Sequence, residues 1–368
     1  MKNNKNNNCN FPTLRFPEFS GEWKKDIIGN VISVKSEKYN PHSNRTEFIC
    51  VELESISQGT GELLETFNSA EQKSIKNKFS PGTVLFGKLR PYLRKFYLPY
   101  FEGVCSSEIW VMRSNKIEPA FLYSFIQTPY FISLANQSSG SKMPRADWGL
   151  IETSKIAYPP NSAERVKIGK FLKLIDERIA TQNKIIAHLE SLIKGLTNQL
   201  LIPNSNWQPT TIGQVLTINP GKDYKHLKEG NIPVYGTGGY MLSVNDYLYD
   251  GESVCIGRKG TINKPIFLTG KFWTIDTLFY TSNFNSLLPR FGYYLFKTID
   301  WLKYNEASGV PSLSKVSIEK IHISLPSLAI QNSICRLLDS IYDKLALEES
   351  VLNNHQTQKA FILQQMFI

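Results

Sequence analysis

The sequence predicts an α+β protein: two mixed α/β domains separated by two long helices that form an antiparallel coiled coil, the halves related by a pseudo-two-fold axis. Three observations carry this expectation: a duplicated segment, an apolar seam at helical spacing after each copy, and short β-rich runs within each copy. At 368 residues the chain exceeds one ordinary domain, and each copy is long enough to bury a core.

The duplication is legible at both ends. Trp23-x4-Ile28-Gly29-x-Val31 returns 184 positions later as Trp207-x4-Ile212-Gly213-x-Val215. Ser139-Gly140 and Pro144 precede Ile151, Ile156 and Pro159-Pro160; Ser308-Gly309 and Pro311 precede Ile318, Ile323 and Pro326. The offset between the prolines Pro144 and Pro311 is 167, so the second copy is the shorter. Within the copies, the runs Gly82 to Phe86, Val104 to Met112, Ser253 to Gly257 and Phe272 to Tyr280 read as strands, separated by Gly, Pro and Asn turns. Helices are expected at corresponding places, Pro119 to Ile132 and Pro289 to Lys303.

After each copy the period changes. Ile168, Leu172, Ile175, Ile179, Ile186, Leu189, Ile193, Leu196 and Leu200 alternate steps of four and three, as in a coiled-coil seam. Adding 166 gives Ile334, Leu338, Ile341, Leu345 and Leu352, then His355, Lys359, Ile362 and Met366. The one polar gap, Gln182, is carried by the same offset to Glu348, and matched polar seam positions fix register between paired helices. Residues 163–201 contain no proline and one glycine, Gly195, and as a helix would span roughly 58 Å. The expected division is a polar tail over 1–20, a domain over 21–160, a helix over 161–203, a domain over 204–325 and a helix over 326–368.

Hydrophobic residues make up 41% and charged residues 20%, which excludes the depleted composition of disordered chains. No apolar stretch reaches membrane-spanning length, and the Asn/Lys-rich start lacks the apolar core of a signal peptide. A cytoplasmic location without membrane contact is expected. Cys9, Cys50, Cys105, Cys255 and Cys335 are odd in number and form no CxxC pair, so reduced structural thiols are expected. The net charge of +10 favours a polyanionic partner. Its excess is +5 over residues 1–160, +3 over 161–205 and +3 over 206–325, against −1 over 326–368. Both domains and the first helix therefore share it.

Enzyme signatures are sparse. There is no GxxxxGK[ST] loop, and Gly236-Thr237-Gly238-Gly239-Tyr240-Met241 fails GxGxxG at its last position, reading instead as a turn near a ligand. His42, His188, His226, His322 and His355 show no metal spacing, and no metal site is expected. Asn219-Pro220-Gly221-Lys222 lacks the second proline and the aromatic ring of an amino-methyltransferase motif. The carboxylate-x-lysine triplets Glu22-Trp23-Lys24, Glu71-Gln72-Lys73 and Asp223-Tyr224-Lys225 are of a kind nucleases use, and of a kind chance supplies in any charged chain.

Basic clusters say more. Lys88-Leu89-Arg90-Pro91-Tyr92-Leu93-Arg94-Lys95 places four cations around a tyrosine, suited to phosphates and base edges. Gly257-Arg258-Lys259-Gly260-Thr261 offers a forked guanidinium between glycines at a comparable location in the second copy. Two further candidates follow glycine turns: Ser141-Lys142-Met143-Pro144-Arg145, and Val310-Pro311-Ser312-Leu313-Ser314-Lys315. A solvated, lysine-guarded edge strand is the competing explanation for any one such cluster; the recurrence favours binding.

With these two basic loops, the glycine-flanked Arg258 segment continuing to Ile262, and the domain exits Tyr158-Pro159-Pro160 and Leu325-Pro326, the chain resembles the specificity subunit of type I restriction-modification systems from about Gly21 to Ile368. It departs at Glu164-Arg165 and Ile330-Gln331, where that family usually has Glu-Gln. The resemblance implies two target-recognition domains, each reading one half of a bipartite, asymmetric site in double-stranded DNA. It implies no catalytic site and no cofactor in this chain; S-adenosylmethionine, and ATP with magnesium, belong to partners. Those partners are two methyltransferase subunits and the restriction (motor-nuclease) subunits. The expected DNA-binding residues are Lys88, Arg90, Tyr92, Arg94, Lys95, Lys142 and Arg145 in the first domain, and Gly238, Arg258, Lys259, Thr261, Ser312, Ser314 and Lys315 in the second. Two other readings stay open at this point: a self-contained DNA-modifying or DNA-cleaving enzyme using the stray triplets, and a helical scaffold whose charge is incidental.

Overall fold

In the computed structural model, which describes residues 10–43, 46–137 and 143–368, the chain divides into two compact units, Met1–Ile185 with Glu348–Ile368 and Ile186–Leu347. Each unit opens and closes on the duplicated segments. In the first, strand Lys24–Ile27 pairs antiparallel with Lys155–Tyr158, Lys24 facing Tyr158. In the second, Gln208–Thr211 pairs with His322–Leu325, Gln208 facing Leu325. The repeated glycine sits where these pairs meet a helical turn: a Cβ on Gly29 would lie 3.1 Å from Glu152, and one on Gly213 would lie 2.8 Å from Glu319.

The first unit holds a five-stranded sheet, ordered Lys38–Tyr39, Lys76–Phe79, Gly103–Cys105, Ile49–Val51, Phe67–Asn68, and a three-stranded sheet, ordered Phe96–Tyr97, Val84–Gly87, Ile109–Met112. Val84–Gly87 is an unbroken apolar run, buried throughout, as a strand covered on both faces requires. Val104 to Met112 reads as one strand but forms two, Gly103–Cys105 and Ile109–Met112, in different sheets. Ser106 turns the chain between them, its carbonyl accepting from the Ile109 N–H at 3.0 Å.

The second unit repeats this departure. Phe272 to Tyr280 divides into Lys271–Thr274 and Leu278–Ser282, with Ile275 accepting from the Leu278 N–H at 2.9 Å. One four-stranded sheet is ordered Thr217–Pro220, Leu278–Ser282, Ser253–Gly257, Ile266–Leu268. The other is ordered Gly239–Val244, Glu229–Gly236, Lys271–Thr274, Tyr249–Asp250.

The two domain helices also end earlier than the apolar pattern suggests. Pro119 to Ile132 is two helices, Pro119–Phe125 and Pro129–Ala135, because Pro129 has no N–H to continue the ladder and Thr128 caps the second helix by accepting from the Phe131 N–H at 3.2 Å. Pro289–Thr298 is likewise followed by a separate 3-10 turn, Trp301–Tyr304.

Ser162–Leu200 and Leu328–Met366 are long helices of 39 residues each. In the first unit, Ile168, Leu172, Ile175 and Ile179 join one core with Ile362, Leu363 and Met366, Leu352 packing against it. The helices run antiparallel there: Lys359 meets Asp176, and Gln182 meets Glu348. Gln182 Nε2 donates to the Glu348 carbonyl at 2.9 Å and to its carboxylate, so the matched polar gap is one contact. In the second unit, Leu196 and Leu200 pack against the core that contains Ile334 and Leu338. Ile193 is buried, and Ile186, Leu189, Ile341 and Leu345 are half-buried. Among the described residues, no helix is long and apolar enough to cross a membrane.

One side chain near the start of each long helix ties it to its domain. Arg165 donates to the Pro159 carbonyl at 2.7 Å and the Pro160 carbonyl at 3.0 Å, and grips Glu118, just before the Pro119 helix, at 2.7 and 3.1 Å. In the second unit the amide of Gln331 donates to the Pro326 and Ser286 carbonyls, both at 2.9 Å, and accepts from the Leu288 N–H, just before the Pro289 helix, at 2.8 Å. Neighbouring Glu164 is buried and holds Arg15 at 2.7 and 2.8 Å and the Trp23 indole N–H at 3.2 Å.

Candidate nucleic-acid interface

In the first unit the basic loop leaves strand Val84–Gly87 and is stitched to the segment that ends at Arg145. Lys88 N–H donates to the Glu108 carbonyl at 2.9 Å, Ala146 N–H to the Lys88 carbonyl at 2.8 Å, and Arg90 N–H to the Pro144 carbonyl at 2.8 Å. Pro91–Leu93 forms a 3-10 turn between Arg90 and Arg94, both at φ +51°. Left-handed backbone is unfavourable for a residue with a Cβ. Here it persists because the turn is bonded at both ends: Leu93 to Arg90, Arg94 to Pro91, and Gly59 N–H to the Arg94 carbonyl at 3.1 Å.

The turn carries Tyr92 outward, 54% exposed, between two exposed arginines. The loop's other cations divide by their partners. Lys95 Nζ donates to the Leu53 carbonyl at 2.5 Å, Arg94 Nη2 to the Gln127 carbonyl at 3.3 Å, and Arg145 Nε to Glu108 at 3.0 Å. Among the described residues, the side chains of Lys88 and Arg90 have no such partner. Lys142 lies outside the described residues.

The second unit repeats the stitching. Arg258 N–H donates to the Thr277 carbonyl at 2.7 Å, Leu313 N–H to the Arg258 carbonyl at 2.9 Å, and Gly260 N–H to the Pro311 carbonyl at 2.8 Å. Lys88 therefore corresponds to Arg258, Arg90 to Gly260, Pro144 to Pro311 and Ala146 to Leu313. Gly257 is required, since a Cβ there would lie 2.1 Å from the Thr261 carbonyl oxygen. Gly260 takes φ +93°, the left-handed backbone its counterpart Arg90 adopts at greater steric cost.

These residues line a cleft of about 650 Å³ that brings together Arg258, Lys259, Ser312, Ser314 and Lys315. The Arg258 guanidinium lies 6.0 Å from the Phe279 ring centroid and 3.5 Å from the Asp276 carbonyl oxygen. Ser314 caps helix Lys315–Glu319, accepting from the Ser317 N–H at 3.1 Å, and its hydroxyl donates to Glu306 at 2.8 Å. The hydroxyls of Ser317 and Ser314 hold the Glu306 carboxyl below its ordinary range. Lys315 pairs with Glu319 at 3.5 Å. Gly238 belongs to the two-residue turn joining strands Glu229–Gly236 and Gly239–Val244. That turn approaches the loop, a Cβ on Gly260 falling 3.7 Å from Thr237 Oγ1. Thr261 is half-buried, its carbonyl oxygen crowding Gly257.

Beyond the loops themselves, the walls of the two sites differ at one pair of positions. Where the first unit sets Glu108 against Arg145, the second has Thr277 and Ser312, both in the cleft wall. Asp276 and Thr277 were not among the residues expected here, because they fall inside what reads as a continuous strand. Their signal in the sequence is the polar pair interrupting the apolar run before Leu278-Phe279-Tyr280.

Tandem mixed domains, each stitching a cationic loop to a proline-led segment and each followed by a long helix, define a duplicated recognition protein. The family model described as "Type I restriction modification DNA specificity domain" matches residues 2–191 and again 204–355, and the chain belongs to that family. It is 24% identical over 200 residues to the type I restriction enzyme EcoDI specificity subunit of Escherichia coli, covering 54% of this chain and 44% of the relative. A curated protein of Mycoplasma pneumoniae described as a type I specificity subunit is 28% identical over 146 residues, covering 37% of this chain and 48% of the relative. The chain thus spans less than half the length of the curated relatives it matches. The fold is that of the S subunit of a type I restriction-modification system from M. genitalium, with a TM-score of 0.66 at 16% identity, covering 97% of this chain and 99% of that one.

Proposed function

We propose that this protein is a non-catalytic specificity subunit that reads a split, asymmetric sequence in double-stranded DNA, one half-site per domain. The observation that carries the reading is the repeated stitch, Lys88 to Ala146 and Arg258 to Leu313, which holds a cationic loop rigidly in each unit. Preorganised donors of this kind suit base edges and phosphates. In the first unit Lys88, Arg90 and Tyr92 are the outward contacts, with Arg94, Lys95 and Arg145 supporting them, and Lys142 is a further DNA contact. In the second, Arg258 reads guanine through its fork, Lys259 meets phosphate, and Gly238, Thr261, Ser312, Ser314 and Lys315 shape the cleft. The differing pairs Glu108–Arg145 and Thr277–Ser312 support unlike half-sites.

The long helices recruit two methyltransferase subunits, and restriction (motor-nuclease) subunits join for cleavage. S-adenosylmethionine, ATP and magnesium act on those partners, and the assembly works in the cytoplasm. Selection of bound duplexes from a randomised pool by the purified chain is expected to return two short, dissimilar blocks at fixed spacing. Given magnesium and S-adenosylmethionine, the same chain is expected neither to cleave nor to methylate. A single contiguous block, or activity of the lone chain, would overturn the reading.

A further inference from the structure

The cleft of the second unit contains, beside its cations, one group that phosphate contact does not explain. Asp276 is exposed on the wall that also presents Arg258 and Lys259, immediately before Thr277, whose carbonyl holds the Arg258 N–H. Among the described residues, its carboxylate has no hydrogen-bond or ion-pair partner, although both cations line the same cleft. The other acid there, Glu306, is already occupied by the hydroxyls of Ser314 and Ser317. A free carboxylate repels a phosphate, so phosphate contact here is left to Lys259 and Asp276 calls for a different partner. What it accepts from is a neutral N–H donor, and on a major-groove edge that donor is the exocyclic amino group of cytosine or adenine.

We infer that Asp276 is a specificity-determining residue of the second half-site, accepting from a base amino group beside the position that Arg258 reads. The inference rests on the DNA-specificity reading and names its chemistry. The turn between Thr274 and Leu278 fixes where the carboxylate stands, since Ile275 N–H is bonded to the Tyr235 carbonyl at 3.0 Å and Thr277 to Arg258. Among the described residues the first unit presents no equivalent at this wall: its acid there, Glu108, is closed against Arg145 at 3.0 Å. A free acceptor is therefore a property of one half-site.

The test is selection of bound duplexes from a randomised pool by the full-length chain and by its Asp276→Ala and Asp276→Asn variants, with thermal melting to establish folding. The wild type is expected to fix cytosine or adenine at one position of one half-site. Asp276→Ala is expected to relax that position by roughly 10- to 100-fold while leaving the other half-site intact. Asp276→Asn, which both donates and accepts, is expected to move the preference towards adenine. Duplexes carrying 2-pyrimidinone for cytosine, or unsubstituted purine for adenine, identify which amino group is lost. If Asp276→Ala leaves the selected sequence unchanged, or weakens all sequences alike, the inference fails while the DNA-specificity reading stands. If the wild type selects no sequence, both fail.

Discussion

Gln331 has no side-chain exposure, and its amide makes three hydrogen bonds, to the carbonyls of Ser286 and Pro326 and from the Leu288 N–H. Gln331→Ala strands all three groups in a region with little water to replace the amide. At about 1 kcal/mol for each bond, the loss comes to about 3 kcal/mol. The effect should be local, because Leu288 leads into helix Pro289–Thr298 and Ser286 into the turn before it. The assay is amide hydrogen exchange of the full chain, supported by guanidinium unfolding. Leu288 is expected to exchange roughly 100-fold faster, in line with a loss of about 3 kcal/mol, while Arg90 and Leu93 in the other unit are unchanged. Unaltered exchange at Leu288, or a destabilisation below about 0.5 kcal/mol, would refute the claim that this amide couples helix to domain.

Other consequences follow from the same contacts. Arg165→Ala is expected to destabilise the first unit by about 2–3 kcal/mol, below the full value for breaking a buried pair because Glu118 is 28% exposed; a fluorescence unfolding midpoint checks it. Lys359→Met leaves Asp176 buried without its cation, which costs about 3–5 kcal/mol, whereas Lys359→Met with Asp176→Leu is expected to be near neutral, and the unfolding free energies of the two variants decide it. Burial raises the Asp176 pKa despite the opposing pull of Lys359. A carboxyl with a raised folded pKa prefers its proton in the folded state, so its contribution favours folding at low pH and is lost as pH rises through the folded value; Lys359→Met is therefore expected to gain stability on acidification from neutrality, and a flat profile would contradict this. Lys88→Ala is expected to reduce the salt dependence of DNA binding by about one phosphate contact, while Lys95→Ala, tied to Leu53, changes it less.

Much of the architecture was legible in the sequence because it is written twice. The 166-residue offset that carries Gln182 to Glu348 is a spacing between two helices, and it marks their contact. The cationic loops were legible for the same reason. What escaped lies where apolar runs are cut by short local turns that contain neither glycine nor proline. Ser106 to Glu108 offers a serine turn, its hydroxyl accepting from the Glu108 N–H at 3.4 Å, and Ile275 to Thr277 a single aspartate, weaker punctuation than glycine or proline, yet at each the chain leaves one sheet for another. Those breaks bring Glu108, Asp276 and Thr277 to the basic loops. Arg165 and Gln331 stand out in sequence only as different residues at matching positions after the exit prolines. Their common task depends on carbonyls and helix starts that only the fold brings together.

Whether each domain reads its own half of a split sequence is decided by mapping modified adenines in DNA from cells carrying the chain with its partner subunits. The expected result is a bipartite motif that becomes degenerate in one half alone under Arg258→Ala. An uninterrupted motif, or equal degeneration of both halves, would contradict it.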